Sequence, residues 1–294
     1  MRCSPRLLIV LFSALAVSIP AFGQDDFKSL FNGKDLTGWE GNPELWTVEE
    51  GCITGKTAGP ETLAYNQFLI WQGGVLKNFE LTAKIKQSGN NTGIQYRSKE
   101  LPENGKWSVG GYQCDIHPSA PNNGMVYEEK GRGIIVQNGQ SVVIDPDGQR
   151  WLTSKHEPVT VDIAGWHEYT IIAQGNHLIH KIDGQITVDL LDFHEAKRAF
   201  EGLLAFQIHR GPAMTVQIKD VRLKELPDGG VVPFEKSLIP ADASIIGKKT
   251  PAGGDKPARR NQSPQQRPAG GICRRREPGN GSGVTRPRQR PEHA

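Results

Sequence analysis

Three short stretches each set a glutamine two residues from an ionisable side chain: Gln95 before Arg97, Gln113 before Asp115 and His117, and Gln207 before His209. Between them stand apolar residues: Ile94 and Tyr96, Tyr112, Cys114 and Ile116, and Leu204, Phe206 and Ile208. In a pleated strand alternate side chains point to opposite faces, so each stretch has one polar and one apolar face. A sheet face that is merely wet draws on Lys, Glu, Thr and Ser. Gln, Arg, Asp and His instead make directional or bidentate hydrogen bonds. Such groups suit a ligand dense in hydroxyls, and a carbohydrate is the expected partner. Trp71, Trp107 and Tyr127 are candidate platforms for the apolar face of a sugar ring. The plainer alternative is a solvated sheet face with those aromatics in the core.

The elements that must position these groups are strands. Period-two alternation recurs roughly every ten residues, divided by Gly, Asn and Asp turns, which signifies an all-β sandwich or barrel. Strands are expected near Trp46–Val48, Cys52–Gly55, Phe68–Trp71, Phe79–Gln87, Thr92–Arg97, Gly111–His117, Gly133–Gln137, Ser141–Ile144, His167–Gln174, His177–Ile182, Gln185–Leu190, Gly202–His209 and Met214–Glu225. Asp183-Gly184 reads as a tight hairpin turn, and only Glu195–Ala199 looks helical.

The ends of the chain have a different character. Arg2 and Arg6, the apolar run Leu7–Ile19 and the small-x-small triplet Ala21-Phe22-Gly23 predict a signal peptide over 1–23 and an exported protein, periplasmic or extracellular. That run is short for a membrane span, and no later segment approaches one. One domain is expected over 24–226, followed by a Pro/Gly/Arg-rich disordered tail over 227–294. From Lys248 onward twelve Lys/Arg oppose three Asp/Glu, which leaves 24–247 with a net charge of −8. An acidic body argues against nucleic acid as its ligand. The odd cysteine set left after signal removal, Cys52, Cys114 and Cys273, implies no disulfide framework, though one Cys52–Cys114 bridge is conceivable.

Taken in order, several pieces resemble a known family. They are Leu30-Phe31-Asn32-Gly33-Lys34-Asp35-Leu36-Thr37-Gly38-Trp39, Asn91-Thr92-Gly93-Ile94-Gln95-Tyr96-Arg97, Gly111-Tyr112-Gln113-Cys114-Asp115-Ile116, Gly165-Trp166-His167-Glu168-Tyr169 and Gly202-Leu203-Leu204-Ala205-Phe206-Gln207-Ile208-His209. The chain is thereby similar to the 3-keto-disaccharide hydrolases. The resemblance implies a concanavalin A-like jelly roll of two curved antiparallel sheets, its ligand on the concave face, and action on glycosides whose C3 hydroxyl has become a ketone. His180-Lys181 stands where the family commonly shows Trp-Leu-Asn, and Cys114 sits beside an acid-bearing strand where the family tends to show Glu and Gln.

A retaining glycosidase needs two carboxylates about 5 Å apart, and the E-x-D-x-x-E strand pattern that supplies them in jelly-roll enzymes is absent. A 3-ketone opens another route, because it acidifies the C2 proton so that the C1 oxygen can leave by elimination. His209 or Asp115 would be the base and Glu128 the acid, with Arg97, Gln95, Gln113 and Gln207 fixing the ketone and hydroxyls. A divalent metal held by Asp115, His117 and His209 could serve as electrophile. The alternative class is a non-catalytic carbohydrate-binding module of the same fold; a structural or adhesive protein working through its basic tail is the third.

Overall fold

A computed structural model describes residues 26–59 and 61–247. The signal-like opening, the basic tail from Lys248, Cys3 and Cys273 lie outside the described residues. Strands follow in chain order as β1 (Lys28–Ser29), β2 (Trp39–Glu40), β3 (Trp46–Glu49), β4 (Cys52–Thr57), β5 (Gln67–Trp71), β6 (Phe79–Ser88), β7 (Thr92–Glu100), β8 (Val109–Ile116) and β9 (Val126–Glu129). Then come β10 (Gly133–Val136), β11 (Gln140–Ile144), β12 (Arg150–Lys155), β13 (His167–Gln174), β14 (His177–Ile182), β15 (Gln185–Asp192), β16 (Leu203–Ile208), β17 (Met214–Glu225) and β18 (Ser244–Ile246). They form two sheets. The larger runs β18-β12-β11-β15-β14-β13-β6-β17-β4-β3 with β1 beside β17, and the smaller runs β10-β9-β8-β7-β16-β5-β2. Among the described pairs only β11 and β15 are parallel. The result is an all-β jelly-roll sandwich.

The apolar parity identified in the sequence closes the sandwich. Ile94 and Tyr96 of β7, Tyr112, Cys114 and Ile116 of β8, and Leu204, Phe206 and Ile208 of β16 pack against Phe79, Leu81, Ile85, Tyr169, Ile171, Val216 and Ile218 of the larger sheet. Full burial of each such side chain contributes about 1.5–3 kcal/mol. Tyr96 stacks on Tyr112 at 5.7 Å, and its hydroxyl lies 2.9 Å from His180 Nε2, so this phenol crosses the core with a polar partner at its end. The Asp183-Gly184 turn has φ of 49° and 79°, the pair of positive values that suits a two-residue hairpin between β14 and β15. Cys52 and Cys114 are buried and unbridged.

Two expectations need correction. Glu195–Ala199 forms a turn, in which His194 O accepts from Lys197 N at 3.0 Å and Arg198 N at 2.9 Å, and no helix follows. The segment from 227 is ordered as far as 247. Asn176 exchanges hydrogen bonds with Val232, Phe234 meets Phe193 edge-on at 5.1 Å, and β18 pairs with β12. Extended backbone needs no apolar run when a neighbouring strand supplies its hydrogen bonds.

Arg97 is also not where alternation would put it. The β7–β8 register shifts between Tyr96 and Lys99, and Arg97 adopts φ of 45°. A bulge of this kind re-aims a side chain. The guanidinium therefore leaves the polar face and donates to Lys77 O at 2.9 and 2.7 Å, Gly175 O at 2.7 Å, Ala199 O at 3.2 Å and Asn78 Oδ1 at 3.4 Å. Gly175 joins β13 to β14, so Arg97 ties the two sheets together. Arg97→Met strands these acceptors and should lower the urea-derived unfolding free energy by about 3 kcal/mol or more; a loss under about 1 kcal/mol would contradict the tie.

Candidate functional site

The face of the smaller sheet turned away from the shared core carries the polar parity. Gln95 (β7), Gln113 and Asp115 (β8) and Gln207 (β16) lie side by side because β8, β7 and β16 are neighbours. Their hydrogen bonds run in one direction. Ser98 Oγ donates to Gln95 Oε1 at 2.6 Å, Gln95 Nε2 to Gln113 Oε1 at 2.6 Å, and Gln113 Nε2 to Asp115 Oδ1 and, at 3.4 Å, to Gln207 Oε1. The carboxylate thus sets the orientation of each amide in turn. Gly93 makes this geometry feasible, since a Cβ there would come within 2.6 Å of the Gln113 side chain. An apolar wing, Phe68, Ile70, Val109 and Ala205, continues the same face.

All four polar groups form a floor, with Asp115 only 2% exposed. Burial pushes its carboxyl up to about 7, the Gln113 hydrogen bond opposes the shift, and the Glu129 charge adds to it. Oδ2 has no protein partner among the described residues. Such a group exchanges protons at neutral pH. Around the floor stand half-buried Tyr127, His117 and His209, and Glu129, whose carboxyl is raised by burial despite Lys130 3.9 Å away. Asn66 Nδ2 approaches both Glu129 oxygens at 3.5 Å, and Asn66 Oδ1 accepts from Arg210 N at 3.0 Å, so the loop before β5 frames one side.

The two rim histidines are set in opposite tautomers. His209 Nδ1 lies 2.5 Å from Arg210 O and 3.1 Å from Asn90 Nδ2, which itself donates to Arg210 O at 3.0 Å; a proton on Nδ1 satisfies the shorter contact and leaves a lone pair on Nε2. His117 Nδ1 accepts from Ser119 N at 2.9 Å, so in the neutral ring Nε2 carries the proton. Burial lowers both pKa values and keeps both rings neutral near pH 7. One ring therefore offers an acceptor and the other a donor.

Several expected residues lie elsewhere. Glu128 points to the core face, opposite Tyr112, where its Oε2 accepts from Arg132 Nε at 2.5 Å. Arg132 Nη1 is also 2.8 Å from Asp192, whose Oδ2 accepts from Tyr112 at 2.6 Å. The acid on the Asp115 side is the next residue, Glu129, which pairs across from Gly111. Trp71 packs in the main core and is no platform. Trp107 sits half-buried before β8, capped by Lys106 Nζ at 4.1 Å, and its carbonyl accepts from Phe68 N at 3.0 Å. Tyr127 alone of the three platforms shares the parity of Gln113. Among the described residues no three His, Cys, Asp or Glu side chains converge to hold an ion, so Asp115, His117 and His209 do not form a ligand set. No described helix is long and apolar enough to cross a membrane.

Raised from 3.8 to about 7, the Asp115 carboxyl favours folding when protonated. That stabilisation is complete below pH 4 and is lost as pH rises through 7, by up to about 4 kcal/mol. Between pH 5 and 8 the wild-type unfolding free energy should fall more steeply than that of Asp115→Asn; parallel profiles would contradict a buried, proton-exchanging carboxyl.

Comparison with known proteins places the chain in a family. A protein of Bacteroides thetaiotaomicron named 3-keto-disaccharide hydrolase is 36% identical over 194 residues, covering 61% of this chain. The chain spans 62% of that relative's length. A carbohydrate-binding module of Bacillus subtilis superposes with TM-score 0.41 at 13% identity, over 64% of this chain and 96% of that one. A β-glucanase of Bacillus licheniformis does so with TM-score 0.40 at 12% identity, over 68% and 97%. Residues 26–224 match the family described as the 3-keto-alpha-glucoside-1,2-lyase-like domain, and the chain belongs to it.

Proposed function

We propose that the protein is an exported enzyme that cleaves 3-keto-glycosides, 3-keto-disaccharides among them, on the outer face of its smaller sheet. The observation that carries this reading is the buried Asp115 carboxyl, held near pH 7 with one oxygen unpartnered, beside a second acid on the same face. A 3-ketone makes the C2 hydrogen acidic. Asp115 removes that proton, and the electron pair moves into an enolate between C2 and C3. The enolate then expels the C1 oxygen, which takes a proton from Glu129. This step yields an alcohol and a 1,2-unsaturated 3-keto-sugar, and water adding at C1 completes a net hydrolysis. His117 Nε2–H donates to the ketone oxygen, and His209 Nε2 and the floor amides meet hydroxyls. Tyr127 provides the ring platform. No metal is assigned a step, because its expected ligands do not assemble.

With 3-keto-trehalose as substrate, Asp115→Asn should lower kcat by about 10²–10⁴. Glu129→Gln should lose most with poor leaving groups and least with a nitrophenyl glycoside. His209→Ala should raise KM more than it lowers kcat. Binding of the keto-sugar without turnover by wild type would favour the carbohydrate-binding module instead. As a check on positioning, Gly93→Ala should lower kcat by displacing Gln113 and, because Gln113 is buried, lower the unfolding free energy by about 1–3 kcal/mol; unchanged kinetics would mean that the amide chain does not orient Asp115.

A further inference from the structure

A second arrangement lies on the opposite side of the sandwich, on the outer face of the larger sheet. Trp166, just before β13, has the Lys86 ammonium 5.0 Å and the Lys219 ammonium 4.3 Å from its ring. Nearby lysines of this face have carboxylate partners: Lys56 with Glu49 at 2.6 Å, Lys84 with Asp220 at 2.9 Å and Lys224 with Asp26 at 3.4 Å. Lys86 and Lys219 have none within ion-pair distance among the described residues. Two ammonium groups gathered on one ring repel each other, and the aromatic quadrupole offsets only part of that repulsion. An anion between them would remove the rest.

Beside this pair opens a hollow of about 240 Å³ lined by Lys86, Gln87, Ser88, Ala164, Thr215 and Gln217. Its wall is rich in hydroxyl and amide groups. The Gln87 side chain turns the other way, into the sandwich, where its Nε2 donates to Ile116 O at 3.4 Å, so Ser88, Thr215 and Gln217 supply the polar side chains of the wall. The strands fix this grouping, because Lys86 of β6 sits directly across from Gln217 of β17. A bare inorganic anion would engage the ammonium groups and leave the amides, hydroxyls and indole unused. A neutral sugar would use the hydroxyls and indole and leave the two charges uncompensated.

We propose that this hollow is a second carbohydrate site, selective for a sugar acid, whose carboxylate lies between Lys86 and Lys219 while its hydroxyls meet Ser88, Thr215 and Gln217. It is separate from the Asp115 face and independent of the chemistry there. An enzyme acting on small oxidised sugars would gain from it a hold on acidic polysaccharide, which keeps the enzyme near its source of substrate.

The test titrates the full chain with D-glucuronate, D-glucose and sulfate while following the Trp166 indole N–H in ¹H–¹⁵N spectra, the signal being assigned by its loss in Trp166→Phe. Glucuronate should shift the signal saturably and glucose should bind at least tenfold more weakly. Combining Lys86→Ala with Lys219→Ala should weaken glucuronate binding at least tenfold, with circular dichroism and keto-sugar turnover unchanged. Raising salt to about 0.5 M should weaken binding as well. The proposal is overturned if glucuronate leaves Trp166 unmoved, if glucose matches it, or if the double variant binds normally. Sulfate binding as tightly as glucuronate would show a simple anion site and overturn the sugar-acid assignment.

Discussion

A carboxylate and an amide meet on the solvent side of the smaller sheet, and their hydrogen bond fixes much of what surrounds them. Asp115 accepts from Gln113, which leaves Gln113 Oε1 to accept from Gln95, whose own oxygen accepts from Ser98. Flipping any one amide would place two donors or two acceptors face to face, so the chain of bonds has a single direction. A buried carboxyl with so few donors cannot ionise cheaply, and burial without a cation beside it is the reason its pKa rises. The same burial that costs stability at alkaline pH supplies a base poised at neutral pH.

Strand order creates this site from residues far apart in the chain. β16 lies between β5 and β7, and β8 on the far side of β7, so Gln207 reaches Gln113 across 94 positions of sequence. Behind this layer the core holds the strands together, through Tyr96, Tyr112 and the aliphatic rows around them. A polar cluster of Glu128, Arg132, Asp192 and Tyr112 links the two sheets, and Arg97 links them again through backbone carbonyls. Polar groups on the two faces of β8 and β9 therefore have separate tasks, tying the sheets together on the inner face and lining the proposed sugar site on the outer.

Alternation in the sequence was sufficient to place Gln95, Gln113, Asp115 and Gln207 on one face, because each is flanked by apolar residues that mark the other. It failed where that marking is absent. Phe68–Trp71 is apolar on both parities, so nothing in the sequence separates Leu69 and Trp71, which enter the main core, from Phe68 and Ile70, which do not. Arg97 follows the pattern until a one-residue bulge reverses it, and the positive φ that accompanies the bulge carries no sequence signal in an arginine. Choosing between Glu128 and Glu129 meets the same difficulty. β9 is only four residues long and the sequence does not mark it as a strand, so neither acid has a parity. Gly93 carried a readable signal, a glycine within a strand, which commonly marks close approach of another group.

The central claim is that Asp115 removes the proton beside a C3 ketone, and exchange at that carbon measures it without requiring cleavage. A 3-keto-1,5-anhydro sugar, which has no leaving group at C1, can be incubated with the protein in deuterated water and followed by NMR. The account predicts catalysed loss of the C2 proton signal, rising with pH through about 7 and absent in Asp115→Asn. Exchange no faster than in buffer, or exchange equally fast in the variant, would contradict it.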